Sequence, residues 1–334
     1  MEGRREGARL ELVCPAGTPA ALRAAVEAGA DCVYCGFRDE TNARNFPGLN
    51  FSPEELAESI DYAHERGARV LVAINTFPRA GAEEIWHRAV DTAAQLRADA
   101  VILADMGLLA YTAERHPDLR RHLSVQAAAA NAQAIEFYVE AFGVRRVVLP
   151  RVLTVQEIAA INAAVSCETE VFVFGGLCVM AEGRCALSSY ATGKSPNMHG
   201  VCSPASHVRY QEEDGELVSR LGNFTIDRVP AGEPAPYPTL CKGCFSAGGK
   251  RGHVFEDPVS LDAATLLPQL AEAGVTALKI EGRQRSRSYT QAVVASFRRA
   301  VDAQAEGRAI PAGELRRLSE GQTTTAGAYR KTWR

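Results

Sequence analysis

Five cysteines lie in one segment of the chain, and their thiolates could bind an iron–sulfur cluster or a zinc ion. They are Cys178, Cys185, Cys202, Cys241 and Cys244. The first four have the spacing Cys-x6-Cys-x16-Cys-x38-Cys. Structural zinc sites usually use Cys-x2-4-Cys pairs, a form that only the last two cysteines have. Wide spacing with glycines nearby suits thiolates that converge from several loops on a bulky cluster. The pattern favours a metal or cluster site, and ordinary thiols remain the alternative.

The remaining four cysteines are expected to be small core residues. Cys32 and Cys35 form a Cys-x2-Cys pair, but they lie on a predicted strand. Residues at an odd offset along a strand point to opposite faces, so these two side chains cannot bind one ion together. Cys14 also lies on a predicted strand, and Cys167 lies where a predicted helix meets the next strand.

The expected compartment is the cytoplasm. The chain has nine cysteines, an odd number, so they cannot all form disulfides. Residues 1–6 are mostly charged, and no apolar export segment follows them. Clustered cysteines in the cytoplasm usually bind metal or perform chemistry. No stretch reaches the ~20 apolar residues of a transmembrane helix, so no transmembrane segment is expected.

Short apolar runs alternate with alanine-rich amphipathic stretches along the chain. The runs predict eight strands, at 10–15, 32–37, 69–75, 100–105, 122–126, 145–150, 170–174 and 276–281. The stretches predict helices near 18–29, 53–66, 83–98, 107–115, 131–142, 154–165, 262–273 and 287–305. Strands that are apolar on both faces belong to a parallel sheet covered by helices. The sequence therefore predicts an α/β fold, a (β/α)8 TIM-like barrel, with a doubly wound open sheet as the alternative.

One interval breaks this alternation. About 85 residues rich in Gly, Ser, Pro and Cys separate the seventh predicted strand from the helix at 262–273. A structureless loop of that length is uncommon inside a compact domain, which favours a functional insertion at the catalytic end of a barrel. We therefore divide the chain into a barrel domain at 1–308 and a C-terminal extension at 309–334. The barrel domain includes a cysteine-rich, cluster-binding insertion at 177–258, between strands seven and eight.

Polar side chains follow several predicted strands at their C-terminal ends, where the active site of a barrel lies. Arg44 follows the second strand, and Gln126 ends the fifth. The eighth strand carries Lys279 and Glu281, which alternation sends to one face, and Arg283 follows it. These five are the predicted catalytic residues at the barrel mouth, and the arginines would suit an anionic substrate. The alternative is that the last three form a structural ion-pair network.

Several segments resemble the collagenase-like peptidase family U32. They read ELVCPAG at 11–17, GADCVYCG at 29–36, SVQ at 124–126 and KIEGR at 279–283, and the spaced cysteines are the family's most specific motif. The resemblance covers almost the whole chain. It implies a four-iron, four-sulfur (4Fe-4S) cluster on Cys178, Cys185, Cys202 and Cys241, with Cys244 extra to the pattern.

A narrower resemblance points to one subgroup of that family. Its segments read CVMAEGRCALSSY at 178–190, GKSPN at 193–197 and YPTLCKG at 237–243. Proteins of this subgroup are subunits of an oxygen-independent hydroxylase that acts on the aromatic ring of ubiquinone precursors. The resemblance implies a heterodimer with a related cluster-bearing subunit and a lipid-tailed ubiquinone precursor as substrate. It also implies prephenate as the oxygen-donating cosubstrate.

Three other functions stay open as alternatives. Other members of the family hydroxylate RNA bases. The net charge here is −3, from 37 basic and 40 acidic residues, and no basic, aromatic-rich extension is present, so no nucleic-acid partner is expected. A non-catalytic scaffold with a structural zinc or cluster is the second alternative. Peptidase activity is not expected, because the sequence shows no nucleophile–base pair and no hydrolytic zinc motif.

Overall fold

Eight parallel strands close into a barrel in the computed structural model, which describes residues 10–233, 235–311, 313–319 and 323–330. The barrel strands are β1 (Glu11–Pro15), β2 (Cys32–Cys35), β3 (Arg69–Ile74), β4 (Ala100–Leu103), β5 (Arg121–Leu123), β6 (Arg146–Val148), β7 (Glu168–Gly176) and β14 (Ala277–Ile280). They pair in this order, and β14 pairs with both β7 and β1, which closes the ring. The predicted TIM-like barrel is therefore confirmed.

Helices cover the outside of the barrel, and one follows each strand except where the insertion intervenes. They are α1 (Pro19–Glu27), α2 (Pro53–His64), α3 (Glu84–Gln95), α4 (Met106–Arg115), α5 (Ala132–Phe142), α6 (Val155–Ala164), α9 (Leu267–Glu272) and α10 (Arg287–Ala305). Within the described part of the chain, no helix has the length and apolar character needed to cross a membrane. The charged residues 1–6 and the predicted start of the barrel domain lie outside the described residues, and the domain boundaries stay predictions.

Capping side chains set where several helices begin. The Ser52 side chain accepts a hydrogen bond from the Glu55 amide, and the Glu55 carboxylate accepts one from the Ser52 amide. Thr154 and Glu157 form the same capping box at the start of α6. Each cap satisfies backbone donors that the first helical turn leaves free and contributes about 1 kcal/mol. Local sequence therefore defines these helix starts before any tertiary contact forms.

Two elements differ from the sequence prediction. The fifth strand ends at Leu123, because the Ser124 hydroxyl accepts a hydrogen bond from the Gln126 amide at 3.3 Å and starts a turn. The helix predicted at 262–273 begins only at Leu267. Its first residue belongs instead to a short strand, β13 (Ser260–Asp262), which pairs antiparallel with the extended end of β7.

The barrel interior has an apolar layer contributed by alternate residues of the strands. This inner cluster consists of Val13, Cys32, Tyr34, Leu71, Ala73, Ala100, Ile102 and Ala277. Cys35 packs instead in the larger core between the barrel and its helices, as Cys14 does. The prediction that Cys32 and Cys35 point to opposite faces of their strand is confirmed.

A buried ion-pair network lies below this apolar layer, toward the N-terminal end of the barrel. The Arg146 guanidinium is 2.7 Å from Glu11, 2.6 Å from Glu168 and 3.4 Å from Glu170. Lys279 is 2.5 Å from Glu170. Burial alone would raise the pKa of Glu11, but the hydrogen bond and charge of Arg146 outweigh it and hold that pKa at about 2. The network therefore keeps Glu11 ionised inside the barrel.

The insertion between β7 and β13 has secondary structure of its own. It contains two short helices, a three-stranded antiparallel sheet and a hairpin. These elements are α7 (Leu187–Thr192), α8 (Pro196–His199), β8 (Val208–Glu213), β9 (Glu216–Leu221), β10 (Phe224–Pro230), β11 (Cys244–Ala247) and β12 (Lys250–His253).

The C-terminal segment returns to the barrel after α10. Strand β15 (Thr324–Thr325) pairs with β13, and the Tyr329 hydroxyl donates a hydrogen bond to the Phe172 carbonyl of β7. This end of the chain therefore packs beside the strand that leads into the insertion.

Candidate functional site

A cavity of about 640 Å³ opens at the C-terminal ends of the barrel strands, between the barrel and the insertion. Its barrel side is largely apolar and is formed by Tyr34, Ala73, Ile102, Val148 and Phe172. Pockets of this size with an apolar base and a few polar groups are typical ligand sites, and this end of a TIM-like barrel is its usual catalytic face. The cavity is therefore the candidate active site.

Four of the insertion's cysteines line this cavity. Cys178 follows β7, Cys185 ends the next loop, Cys202 follows α8, and Cys241 lies in the turn before β11. Three separate stretches of chain thus bring one or two thiols each to the same space. The structure brings together the four residues that the family resemblance assigns to a cluster, and their ligand role stays a prediction.

Two glycines allow the cysteine loops to lie directly on the barrel. Gly183 has a positive φ of 83°, and a Cβ there would lie 2.0 Å from the Gln126 carbonyl oxygen. Gly200 has a φ of 62°, and a Cβ there would lie 1.2 Å from the Ala43 carbonyl oxygen. Any side chain at either position would push the loop away from the barrel mouth. These two approaches place the thiols over the apolar base of the cavity.

The thiols share one electrostatic environment. Burial, followed by the charge of Glu182, raises the pKa of Cys178 to about 12, and Cys202 contributes to the rise. Burial, together with the charges of Cys202 and Cys185, raises the pKa of Cys241 to about 11. These mutual effects arise only between groups close to one another. Because a thiol must lose its proton to bind metal, binding of a cluster here would release protons.

Cys244 differs from the other four insertion cysteines, because it does not line the cavity. It begins β11 and pairs across the hairpin with His253. In the part of the chain that the structure describes, no three His, Cys, Asp or Glu side chains are placed to hold a single metal ion.

All five predicted catalytic residues line the cavity: Arg44, Gln126, Lys279, Glu281 and Arg283. They do not form one ion-pair network. Lys279 pairs with Glu170 inside the barrel, whereas Arg283 donates to the Asn42 side chain at 3.1 Å. Their catalytic roles stay predictions.

Glu281 is an ionised carboxylate at the edge of the cavity. Burial alone would raise its pKa, but the charges of Arg44 and Arg151 outweigh burial and lower it. Arg44 lies 4.0 Å from Glu281, and the Gly176 amide donates to the same carboxylate at 3.1 Å. Glu281 therefore joins β14, β7 and the loop after β2 at the barrel mouth.

Lys279 is held against an aromatic ring as well as a carboxylate. Its ammonium lies 3.8 Å from the centre of the Tyr34 ring, and the Tyr34 hydroxyl donates to the Ile280 carbonyl at 2.8 Å. The buried Lys279 thus has a fixed position on the base of the cavity, where its pKa is lowered mainly by burial.

A buried ion pair ties the first cysteine loop to the barrel. The Arg151 guanidinium lies 2.6 Å from the Glu182 carboxylate, and both side chains are about nine-tenths buried. Arg151 also donates to the Gly176 carbonyl and lies over the Phe172 ring at 4.0 Å. Glu182 lies between Cys178 and Cys185 in the sequence, so this pair fixes the loop that carries both thiols.

Replacing Glu182 with glutamine should loosen this loop. Hydrogen bonds to charged groups contribute about 1.5–3 kcal/mol, and Glu182→Gln leaves the buried Arg151 cation without its nearest carboxylate. We expect amide hydrogen exchange at residues 178–185 to accelerate about tenfold or more. The matched control is Glu212→Gln, an exposed position on β8 of the same insertion. Equal exchange at 178–185 in the two variants would show that the pair does not hold the loop.

The cavity lining carries an excess of positive charge. It contains two carboxylates, Glu182 and Glu281, and six cationic side chains, Arg44, Arg151, Lys242, Lys279, Arg283 and Arg285. The six cations come from four separate stretches of the chain, with three of them in residues 279–285, and the chain's net charge does not show that they share one space. A cavity of this kind favours anionic ligands.

Sequence reasoning missed several residues of this site. Tyr34 and Phe172 lie on strands and have the residue type of ordinary core positions, so no sequence feature separates them from the core. Glu182, Lys242 and Arg285 each lie within three residues of a predicted site residue. Proximity to those residues was the one feature that could have identified them.

Comparison with known proteins identifies relatives along most of the chain. A protein-family model described as Peptidase family U32 matches residues 17–330. The tRNA hydroxylation protein P of Haemophilus influenzae is 33% identical over 325 residues, which cover 89% of this chain and 68% of that protein. A 23S rRNA 5-hydroxycytidine synthase of Escherichia coli is 31% identical over 320 residues, which cover 94% of this chain and 42% of that protein.

A solved structure of a U32 peptidase also matches. It is 21% identical, covers 52% of this chain and 72% of the other, and has a TM-score of 0.42.

The expectation that this protein has no nucleic-acid partner is wrong. It rested on the net charge of −3 and on the lack of a basic, aromatic-rich extension, whereas the relatives are described as tRNA and 23S rRNA hydroxylation proteins. Net charge is a sum over the whole chain and does not show that the lining of one cavity has six cationic side chains against two carboxylates.

Proposed function

The chain belongs to peptidase family U32, and we propose that it is a hydroxylase that modifies an RNA base with the help of an iron–sulfur cluster. The observation that carries this proposal is the cavity, in which four cysteines lie over an apolar base within a positively charged lining. A flat aromatic nucleobase suits the apolar side of the cavity, and the phosphates of RNA suit its cationic side chains. The RNA hydroxylation activities of the relatives support the choice of substrate.

Four thiolates would hold the cluster in this proposal: Cys178, Cys185, Cys202 and Cys241. The wide spacing of these four cysteines in the sequence suits a 4Fe-4S cluster, whereas structural zinc sites usually use Cys-x2-4-Cys pairs. A cluster bound there would supply electron transfer or an iron coordination site beside the substrate. Tyr34 and Phe172 would orient the nucleobase of the substrate and keep bulk water from it.

Oxygen-independent hydroxylation needs a donor of the oxygen atom, and prephenate is the donor we propose. Its two carboxylates suit guanidinium partners, and two of the predicted catalytic residues that line the cavity, Arg44 and Arg283, are arginines. Glu281 keeps its negative charge nearby, which limits how many anions the site can accept.

The test is an assay of RNA hydroxylation by protein purified and kept without oxygen. The protein is incubated with total RNA and prephenate, and the nucleosides are then analysed by mass spectrometry. We expect a nucleoside that gains the mass of one oxygen atom, and only when prephenate is present. Protein with a full cluster and no such nucleoside would contradict the proposal.

A second candidate is the ring hydroxylation of ubiquinone precursors, as in UbiU working with its related partner UbiV. The observation that favours it is the position of the subgroup segments, because Pro196, Asn197, Tyr237 and Thr239 line the cavity. The apolar base would suit a quinone precursor as well as an RNA base. The same anaerobic assay with a ubiquinone precursor and the UbiV-like subunit separates the two candidates, since each predicts a different hydroxylated product.

A further inference from the structure

The cavity mouth has an arginine-rich segment whose two exposed arginines have no role described so far. Residues 283–288 read RQRSRS and comprise the end of the loop after β14 and the first two residues of α10. Arg283 is buried, whereas Arg285 and Arg287 are exposed. Gln284 and Arg285 line the cavity. Within the described residues, neither exposed arginine forms an ion pair, and the Arg285 guanidinium lies 5.3 Å from the centre of the Tyr289 ring. Arg285 at the cavity and Arg287, two residues further along the chain, therefore present exposed cations to an anion.

An exposed aromatic ring lies on the insertion side of the same mouth. Tyr237 lines the cavity and is 47% exposed. Its hydroxyl donates to the Ser203 carbonyl at 3.0 Å, and the Ser203 hydroxyl donates to the Pro238 carbonyl. The ring is thus fixed in orientation although half its surface is free. An aromatic side chain held in this way is a stacking platform for a nucleic-acid base, at little cost in side-chain entropy.

The depth of the cavity restricts which RNA can reach it. Its base is formed by residues inside the barrel, among them Ala73 and Ile102, below the level of the cysteine loops. A nucleobase that is paired in an RNA duplex cannot extend that far from the duplex. The target base must therefore be unpaired or rotated out of its stack.

We propose that this mouth binds a single-stranded RNA segment, with Arg285 and Arg287 on backbone phosphates and Tyr237 stacked on a base next to the target. The inference rests on the proposed RNA hydroxylase function and names how its substrate is held. Charge complementarity favours a polyanion at this mouth, and the exposed aromatic ring of Tyr237 at the same cavity favours a polyanion that carries nucleobases. The headgroups of an anionic membrane offer the same negative charge but have no aromatic rings to stack on Tyr237.

The experiment measures binding of a labelled single-stranded RNA to the anaerobic holoprotein by fluorescence anisotropy at several salt concentrations. The test variant is Arg285→Ala/Arg287→Ala. The matched control is Arg115→Ala/Arg145→Ala, which removes two exposed arginines at the opposite end of the barrel. Each single-strand phosphate contact contributes about 0.7 to the slope of log affinity against log salt. We expect the test variant to bind about tenfold more weakly at low salt and to lose about 1.4 from that slope, and the control to match the original protein.

The Tyr237 contact is tested separately with two substitutions. Tyr237→Ala removes the ring and should weaken RNA binding about tenfold. Tyr237→Phe keeps the ring and should bind within about twofold of the original protein. Iron content and circular dichroism verify that each variant is folded.

The outcomes separate this inference from the function on which it rests. Equal RNA affinity and salt slope in the two double variants, with RNA hydroxylation intact, would overturn the proposed surface and leave the hydroxylase function standing. Absence of both RNA binding and RNA hydroxylation in the original protein would overturn both. Binding to phosphatidylglycerol vesicles in place of RNA, lost in the Arg285→Ala/Arg287→Ala variant, would assign the loop to a membrane and overturn the RNA surface.

Discussion

Alanine at any one of Cys178, Cys185, Cys202 or Cys241 should remove the iron from the anaerobically purified protein. We expect about four irons and four sulfides per chain in the original protein and close to none in each variant. The physical reason is that all four thiols line one cavity, so the loss of one leaves an iron without its protein ligand. Iron and acid-labile sulfide analysis, together with the visible absorption spectrum, measures the effect.

The matched control for this prediction is Cys244→Ala. Cys244 lies three residues from Cys241, but its position at the start of β11 takes it out of the cavity lining. Cys32→Ala and Cys35→Ala, inside the barrel wall, should also retain iron. If Cys244→Ala lost its iron and Cys241→Ala kept it, Cys244 would be the fourth cluster ligand and Cys241 would not. One zinc and no sulfide in the original protein would support the structural zinc alternative instead.

Apolar strands were predictable from the sequence because the barrel buries both of their faces. The run Val70–Ile74 has no polar residue, so its burial follows from composition alone, and the structure buries all five of its residues. The fifth strand is harder to delimit. The sequence prediction places Ser124 inside the fifth strand, at 122–126. In the structure the Ser124 hydroxyl accepts a hydrogen bond from the Gln126 amide of the next turn, and the strand ends at Leu123, one residue before Ser124. Side-chain to backbone bonds of this kind compete with strand pairing and are not visible in hydrophobic patterns.

The insertion was recognisable as an interruption, but its internal strands were not predicted. Strand β8 is almost entirely exposed or half-buried, so it lacks the apolar pattern by which strands are recognised. One local feature did point to a hairpin. Asp214 and Gly215 connect β8 to β9 with φ values of 51° and 80°, and an Asp-Gly pair is a typical two-residue hairpin turn. The turn chemistry was therefore in the sequence, whereas the packing that supports the sheet was not.

The candidate site was predictable where chemistry marks a residue and not where shape does. Arg44 and Glu281 were predicted because burying a charged side chain costs free energy, and because residues at the C-terminal ends of barrel strands line the active site. Tyr34 has no such mark, since an aromatic residue on a buried strand is ordinary. The positive charge of the cavity was also missed. It depends on six side chains from four separate stretches of the chain, and only the folded chain shows that they share one space.

Removing Arg146 should destabilise the barrel more than any other single charge removal that we describe. Arg146 is 3% exposed and contacts three carboxylates, those of Glu11, Glu168 and Glu170. Arg146→Ala removes the guanidinium that the three carboxylates share and leaves each of them with one other cation, Arg69, Arg120 or Lys279. Breaking a buried ion pair by removing one partner costs about 3–5 kcal/mol. Urea unfolding followed by circular dichroism measures the loss of unfolding free energy.

The control for Arg146→Ala is Arg69→Ala. Arg69 contacts the same Glu11 carboxylate, but its side chain is 47% exposed. Exposed pairs contribute about 0–1 kcal/mol, so this variant should remain close to the original protein. Equal loss of stability in the two variants would show that burial of the network does not decide its energetic effect.

The pH dependence of Arg146→Ala should have the opposite sign to that of the original protein. In the original protein Glu11 has a pKa of about 2, below its unfolded value of 4.5. Its contribution to stability is therefore complete above pH 4.5 and is lost as the pH falls toward 2. Without Arg146, the burial that its hydrogen bond and charge outweigh raises the pKa of Glu11 above the unfolded value. Protonation then stabilises the folded variant below that value, and this benefit is lost as the pH rises. The stability deficit of Arg146→Ala should thus be smaller at pH 5 than at pH 7.5, and a deficit that grows on acidification would contradict a carboxylate cluster neutralised by Arg146.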